Sequence, residues 1–289
     1  MSDLHERIEL AVRYIESHLT EDVSVSDAAR RSCLSLWYFH RIFSALTGYS
    51  VMDYIRKRRL TIAACTLLTT RKSVLDIALE SGYDAHYSFT RAFKRMFGVT
   101  PAKFRNARPA FDIFPAIRFE PHHAGFIQGG LRMEPKIVKR PAFKVIGVSI
   151  RTNGKMGPGG EIPAFWCTVM SQGTLERIPN RIGNACYGMC FDCNEDGEFT
   201  YMIAQEVTPD TDVPEGLTGR TIPETTYAVF TAKGVVQKSI PETFTFIYGV
   251  WLPQSGYECA GTEDFEYYDE RFTDDEKAEV DIYVPIVKK

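Results

Sequence analysis

A chain of 289 residues, 44% hydrophobic and 25% charged, is long enough for two domains of about 100 to 150 residues, each with its own core. The opening MSDLHERIEL lacks the apolar core of a signal peptide, no uninterrupted apolar run nears the ~20 residues of a membrane span, and seven scattered cysteines argue against a disulfide framework, so a cytoplasmic protein with no membrane contact is expected. The net charge of −3 hides a split, 17 Lys and Arg against 11 Asp and Glu in residues 1–108 and 17 against 26 in the rest, and the basic part suits a polyanion, because neutralising phosphates releases counterions.

One pattern is written twice, about fifty positions apart. Ser24 to Asp27 and Ser73 to Asp76 are Ser-x-x-Asp signatures that cap a helix start. A short helix follows each, with Val25, Ala28 and Ala29 on the first apolar face and Val74, Ile77 and Ala78 on the second. Turns at Ser32-Cys33 and Ser81-Gly82 lead into a second helix, where Phe39, Ile42, Phe43 and Leu46 recur at i, i+3, i+4, i+7 and are matched by Phe89, Ala92, Phe93 and Met96. The opposite faces carry Trp37, His40, Arg41 and Ser44 in the first copy, and Tyr87, Thr90, Arg91 and Lys94 in the second. A short helix, a tight turn and a second helix presenting polar, aromatic and Arg side chains is the helix-turn-helix arrangement, whose second helix lies in the major groove. The amphipathic stretch Val51–Thr69 joins the two units and lets one chain address successive major-groove faces, about 34 Å apart, on double-stranded DNA. Two different exposed faces predict an asymmetric site. The run Arg56-Lys57-Arg58-Arg59 is open between a solvated charged face and phosphate contact.

These residues, with FTRAFKRMFGVTPAKFR and its Gly98, Pro101, Phe104 and Arg105, resemble the DNA-binding domain of AraC/XylS transcription regulators over about residues 5–106, in the arrangement that places this domain first. The resemblance implies base contacts from Trp37, His40 and Arg41, and a second recognition helix, with His86, Tyr87, Ser88 and Arg91, that contributes mainly phosphate contacts. His40 departs from the Gln of similar members, and the second helix departs from their Gln-Gln-Thr run. Cys33 stands where the family's turn often has Gly; a non-Gly residue at positive φ is strained, which predicts a slightly reshaped first turn.

Residues 108–130 mix Pro and Gly without a sustained period and read as a linker between domains at 1–107 and 131–289. His122 and His123 have no Cys or His at ligand spacing and read as a surface loop; Cys186, Cys190 and Cys193 lie in a strand-like run that points the first two to one face and the third to the other. No metal and no cofactor is expected.

The C-terminal part repeats itself too. IPAFWCTVM and IPETFTFIY share an Ile-Pro helix start, each after a strand-like run, AFKVIGVSIRT or TTYAVFTAKGVV, and each before two more, 185–193 and 199–207, then 265–268 and 280–287. This gives two β-α-β-β halves, so the expected fold class is an all-α N-terminal domain with two helix-turn-helix units followed by an α+β domain with an antiparallel sheet. A cleft between the halves is the natural place for a ligand. IPAFW, YMIAQEV and WLPQSGYECAGTEDFEYYDERF resemble the GyrI-like effector-binding domain from about Met133 to the end, which implies a cleft for small, often aromatic or cationic molecules with Glu206 as polar anchor. In a strand, Glu206 shares a face with Met202 and Ala204, where a carboxylate is costly unless a cation or hydrogen bonds meet it. Trp166, Tyr187, Tyr248 and Trp251 are aromatic candidates for the lining.

The sequence thus reads as a DNA-binding transcription regulator that senses a small effector, with RNA polymerase a further candidate partner. The alternative is a small-molecule hydrolase tethered to a DNA-binding domain, with Glu206 and a nearby Tyr activating water. A third reading makes the acidic domain a protein-protein interaction surface.

Overall fold

The computed structural model describes residues 4–118, 133–152, 160–273 and 276–289. It divides into two compact units, Met1–Pro121 and His122–Lys289. Among the described residues no helix is long and apolar enough to cross a membrane.

The helical unit follows the repeat. Helix α1 (Leu4–Ser17) precedes α2 (Val25–Arg31) and α3 (Leu36–Thr47); α4 (Val51–Thr69) leads to α5 (Val74–Glu80), α6 (His86–Phe97) and α7 (Pro101–Ala107). Ser24 accepts from the Asp27 amide, and Ser73 and Asp76 form a reciprocal capping box, so both short helices start where the Ser-x-x-Asp signatures lie. Both second helices end on a left-handed glycine, Gly48 and Gly98. Val25, Ala28, Ala29, Phe39, Ile42 and Phe43 are buried in the first unit, and Ile77, Ala78, Phe89 and Phe93 in the second, with Val74, Ala92 and Met96 packed against them. Cys33 keeps φ at 53°, beside 73° for its counterpart Gly82, so the first turn is not reshaped: a left-handed cysteine is tolerated there. The Arg7 guanidinium holds it, donating to the Ser32 carbonyl at 2.6 Å and to that of Cys33.

The second unit has strands β1 (Lys136–Arg140), β2 (Phe143–Thr152), β3 (Cys186–Phe191), β4 (Phe199–Val207), β5 (Thr218–Ile222), β6 (Thr225–Lys233), β7 (Tyr257–Cys259), β8 (Phe265–Tyr268) and β9 (Glu279–Lys288). Helix α8 (Glu161–Ser171) follows β2 and α9 (Val236–Phe246) follows β6, giving the two β-α-β-β halves β2-α8-β3-β4 and β6-α9-β8-β9. They join edge to edge through β3 and β8 into one antiparallel sheet, ordered β1-β6-β9-β8-β3-β4-β2-β5, with β7 on β9. Edge strands β1 and β5 had no clear alternation in the sequence and were not foreseen. Helix α8 packs on β2 and β4, and α9 on β6 and β9.

The sheet curls away from the helices. Strands β2 and β8 are three places apart, about 14 Å in a flat sheet at ~4.8 Å per strand, yet the Phe143 and Phe265 rings are 5.8 Å apart. Curling encloses Phe143, Val145, Tyr187, Met189, Met202, Ala204, Tyr227 and Phe265 in a largely aromatic interior, on the face opposite α8 and α9.

Three sequence expectations are corrected. Helix α9 begins at Val236, leaving Pro241 inside it; the hydrogen bond the proline forgoes falls at exposed Gln237, where water can meet the carbonyl. Cys186 and Cys190 do share a face, but Cys193 lies beyond the end of β3. Residues 109–118, read as linker, lie against the helical unit, with Phe111 in ring contact with Phe97 and Phe104, and Phe114 with Tyr49 and Tyr54. His122 and His123 fall outside the described residues. Among the described residues no cluster of His, Cys, Asp or Glu could hold a metal ion.

Candidate functional site

The two recognition helices, α3 and α6, present unlike faces. On α3, Trp37, His40 and Arg41 are all half-buried, and the Arg41 guanidinium lies 5.2 Å from the Trp37 ring centroid. Stacking of this kind pre-orients both side chains. On α6, His86, Tyr87, Ser88, Arg91, Lys94 and Arg95 are exposed, Tyr87 at 77%. The first face is held in shape by its own contacts; the second is a charged, loosely held surface of the kind that follows phosphates.

The basic run on α4 is mostly committed to the protein. Arg58 forms a bidentate pair with Glu16 of α1 (2.9 and 2.9 Å) that raises its pKa, and it donates to the Phe114 carbonyl at 2.5 Å. Arg59 donates to the carbonyls of Leu19 (2.8 Å) and Glu21 (2.5 Å). Lys57 lies 4.3 Å over the Tyr49 ring and Arg56 pairs with Asp53. Arg58 and Arg59 tie α4 to α1, to the loop after it and to the segment at Phe114.

In the sheet unit the expected effector residues fall in three places. Glu206 and Tyr187 lie on the inner face: the Tyr187 hydroxyl donates to Glu206 Oε2 at 2.6 Å, and Arg140 donates to both. Burial pushes the Tyr187 phenol up, and Tyr187 and Glu206 keep Arg140 charged against the opposing effect of burial. The Arg140 guanidinium also sits 4.0 Å from the Phe143 centroid, 5.4 Å from Tyr187 and 5.7 Å from Phe265. The cation beside the Glu206 carboxylate is the chain's own Arg140, from edge strand β1, set among aromatic rings.

Trp166 is on the outer, helix-covered face. Its indole donates to the Tyr201 hydroxyl (2.9 Å), which donates to Glu266 Oε2 (3.0 Å), and the Tyr268 hydroxyl donates to the same oxygen (2.9 Å). The Trp166 and Tyr268 rings are 4.8 Å apart. Glu266 is 5% exposed, and burial pushes the Tyr201 and Tyr268 phenols well up. Gly188, opposite Glu266 at the junction of the halves, makes the room: a Cβ there would stand 2.3 Å from the Tyr201 hydroxyl and 2.7 Å from Glu266 Oε2. This carboxylate, ringed by phenols and an indole where the two halves meet, was missed in the sequence. Its signal was the alternation Phe265-Glu266-Tyr267-Tyr268, which sends Glu266 and Tyr268 to the face opposite Phe265.

Tyr248 and Trp251 join neither group. Tyr248 is fully buried and donates to Asp264 at 2.8 Å, and Trp251 packs edge-on against Phe230 at 5.1 Å. Both serve the packing of the segment after α9.

Comparison with known proteins places both units. Residues 28–107 match the family model described as a helix-turn-helix domain, and residues 136–286, half the chain, match that of the integron-associated effector binding protein. Regulatory protein SoxS of Escherichia coli K12 is 37% identical over 95 residues, 33% of this chain and 89% of SoxS. Transcriptional regulator Rob of Salmonella typhimurium is 39% identical over 107 residues, 36% of this chain, and the match spans only 37% of Rob. Among solved structures, a protein bound to tetraphenylphosphonium aligns over 54% of this chain and 94% of its own at 21% identity and a TM-score of 0.45; an integron cassette protein from Vibrio cholerae aligns over 54% and 97% at 17% identity and a TM-score of 0.41. The chain therefore belongs to the AraC-type helix-turn-helix family and, through residues 136–286, to the integron-associated, GyrI-like effector-binding proteins.

Proposed function

We propose that this protein is a transcription regulator: residues 1–107 recognise one asymmetric DNA site of roughly 20 base pairs through α3 and α6, and residues 131–289 bind a small aromatic or cationic effector. The observation that carries the DNA reading is the pair of recognition helices with unlike exposed faces in one chain, which need no second copy to cover two turns of a duplex. Trp37, His40 and Arg41 read bases, while His86, Tyr87 and Arg91 hold the backbone.

For the effector, Glu266 with Trp166, Tyr201 and Tyr268 is the proposed anchor in place of Glu206. Glu266 lies at the junction of the halves, beside the indole of Trp166 and the phenols of Tyr201 and Tyr268, which suit a cation or an aromatic ring. The effector alters DNA occupancy, or contact with RNA polymerase, to the extent that it binds two states of the protein with different affinity.

The hydrolase alternative has less support. Glu206 Oε2 already accepts from both the Tyr187 hydroxyl and Arg140, so the oxygen a general base would offer to a water is occupied. Selection of duplexes from a random pool by the full chain, followed by titration with tetraphenylphosphonium as probe, tests the proposal. One enriched asymmetric site, with tryptophan quenching by the probe lost in Glu266→Gln, supports it; turnover of a panel of aromatic esters and amides by the wild type, lost in Glu206→Gln, supports the enzyme reading, and no enriched sequence removes the DNA reading.

A further inference from the structure

The recognition helices are tied together at their C-terminal ends by a segment that belongs to neither unit of the repeat. Helix α3 closes on Gly48 with Tyr49 next in the chain, and α6 closes on Phe97 and Gly98. After α7, where Arg108 donates to the Leu68 carbonyl at 2.9 Å, Phe111 packs 5.7 Å from the Phe97 ring and 5.3 Å from Phe104. Three residues later Phe114 meets Tyr49 edge-on at 5.1 Å and Tyr54 at 6.0 Å, and its carbonyl accepts from Arg58. Lys57 lies over both the Tyr49 and Phe114 rings, at 4.3 and 5.1 Å. The Ile117 amide then donates to the Tyr54 hydroxyl at 3.3 Å, and that hydroxyl donates to Glu16 of α1 at 2.6 Å. Asp112 and Ile113, between the two anchored rings, are exposed.

Helix α4 packs on the first unit through Tyr54, whose ring meets Phe43 at 5.5 Å, and on the second through Leu60, Ala63, Ala64 and Leu67. The strap adds a second connection between the ends of the two recognition helices. Three residues of chain span at most about 11 Å, so anchoring Phe111 at the end of α6 and Phe114 at the end of α3 closes a ring α3-α4-α6-strap, and a closed ring has no free pivot. Two binding elements held at a fixed separation gain from each other only when the site matches that separation; a loose link tolerates mismatch and binds the matched site less well.

We propose that residues 109–118 are a clamp that sets the spacing and angle of the two recognition helices, with Phe111 and Phe114 as positioning residues for DNA recognition. The inference rests on the reading that both helices engage one duplex. The clamp makes this chain selective for the distance between its two subsites as well as for their sequence.

The test uses the full chain and a duplex selected by it, alongside duplexes carrying one or two extra base pairs between the two protected subsites. The wild type loses about tenfold or more in affinity per insertion, and insertion of one Gly between Asp112 and Ile113, which leaves both rings anchored, reduces that loss to below about threefold. Thermal unfolding of the inserted variant matches the wild type; should it fail to fold, Phe114→Leu gives the same comparison with the chain length kept. Equal spacing discrimination in variant and wild type overturns the clamp, as does a wild type indifferent to spacing. A wild type that selects no duplex instead overturns the regulator reading on which the clamp depends.

Discussion

The guanidinium of Arg59 occupies the space a side chain on Gly82 would need: a Cβ at Gly82 would lie 2.6 Å from Arg59 Nη1. The same guanidinium donates to the Leu19 and Glu21 carbonyls, so one side chain of α4 supports the loop entering the first helix-turn-helix unit and the turn of the second. Gly82 is also left-handed, at φ 73°. Gly82→Ala therefore meets both a backbone penalty and a displaced arginine, and loses about 2 kcal/mol or more. Cys33→Gly relieves a left-handed cysteine at φ 53° and gains no more than about 1 kcal/mol, since glycine adds entropy to the unfolded chain. Helix circular dichroism during urea unfolding of the full chain checks both.

The Arg140–Glu206 pair, at 19% and 17% side-chain exposure, is enclosed enough that removing one partner leaves a poorly solvated charge. Arg140→Met costs about 3 kcal/mol, the low end for breaking a buried pair. The double variant Arg140→Met with Glu206→Gln costs less than the two single changes added, because the second change removes the stranded charge. A double-mutant cycle on the unfolding of the sheet unit reads the coupling; strict additivity contradicts the assignment.

Alkali attacks the sheet unit through its phenols. Burial raises Tyr187, Tyr201 and Tyr268, and pushes Tyr227 up to about 12. A group whose folded pKa is raised contributes stability that is complete below its unfolded pKa, about 10 for tyrosine, and is lost as pH rises toward the folded value. Stability of this unit therefore holds to about pH 10 and falls above it. Tyrosinate absorbance and loss of strand circular dichroism rise together for these residues; full ionisation near pH 10 with the sheet intact contradicts their burial.

Much of this architecture was legible in local pattern. The Ser-x-x-Asp caps at Ser24 and Ser73 and the i, i+3, i+4, i+7 faces built on Phe39 and Phe89 are short-range signals, and the helices formed where those signals stood. Glu206 was legible as a carboxylate needing a cation, but its partner Arg140 is 66 residues away and meets it only because the sheet curls. Glu266 was hidden for the same reason: Gly188, Tyr201 and Trp166 surround it through strand pairing and helix packing. The charges of Arg58 and Arg59 left a solvated face and phosphate contact equally open in the sequence; their partners Glu16, Leu19 and Glu21 belong to α1 and the loop after it. Local periodicity places elements; which distant side chain meets a buried charge is settled by tertiary packing.

The recognition helices differ in what a substitution removes. Arg41→Ala on α3 costs about 1–3 kcal/mol on the selected duplex and relaxes preference at the positions it reads. Arg91→Ala and Lys94→Ala on α6 weaken binding to all sequences alike, and each lowers the slope of log affinity against log salt by about 1. Anisotropy titrations on matched and scrambled duplexes over a range of salt separate the two.

The measurement that bears most directly on the account is hydroxyl-radical footprinting of the full chain on its selected duplex, with stoichiometry fixed by titration. One chain per duplex, protecting two adjacent turns unequally, is the predicted result. Protection of a single turn, or a symmetric footprint that needs two chains, would contradict the claim that one molecule reads DNA through both of its helix-turn-helix units.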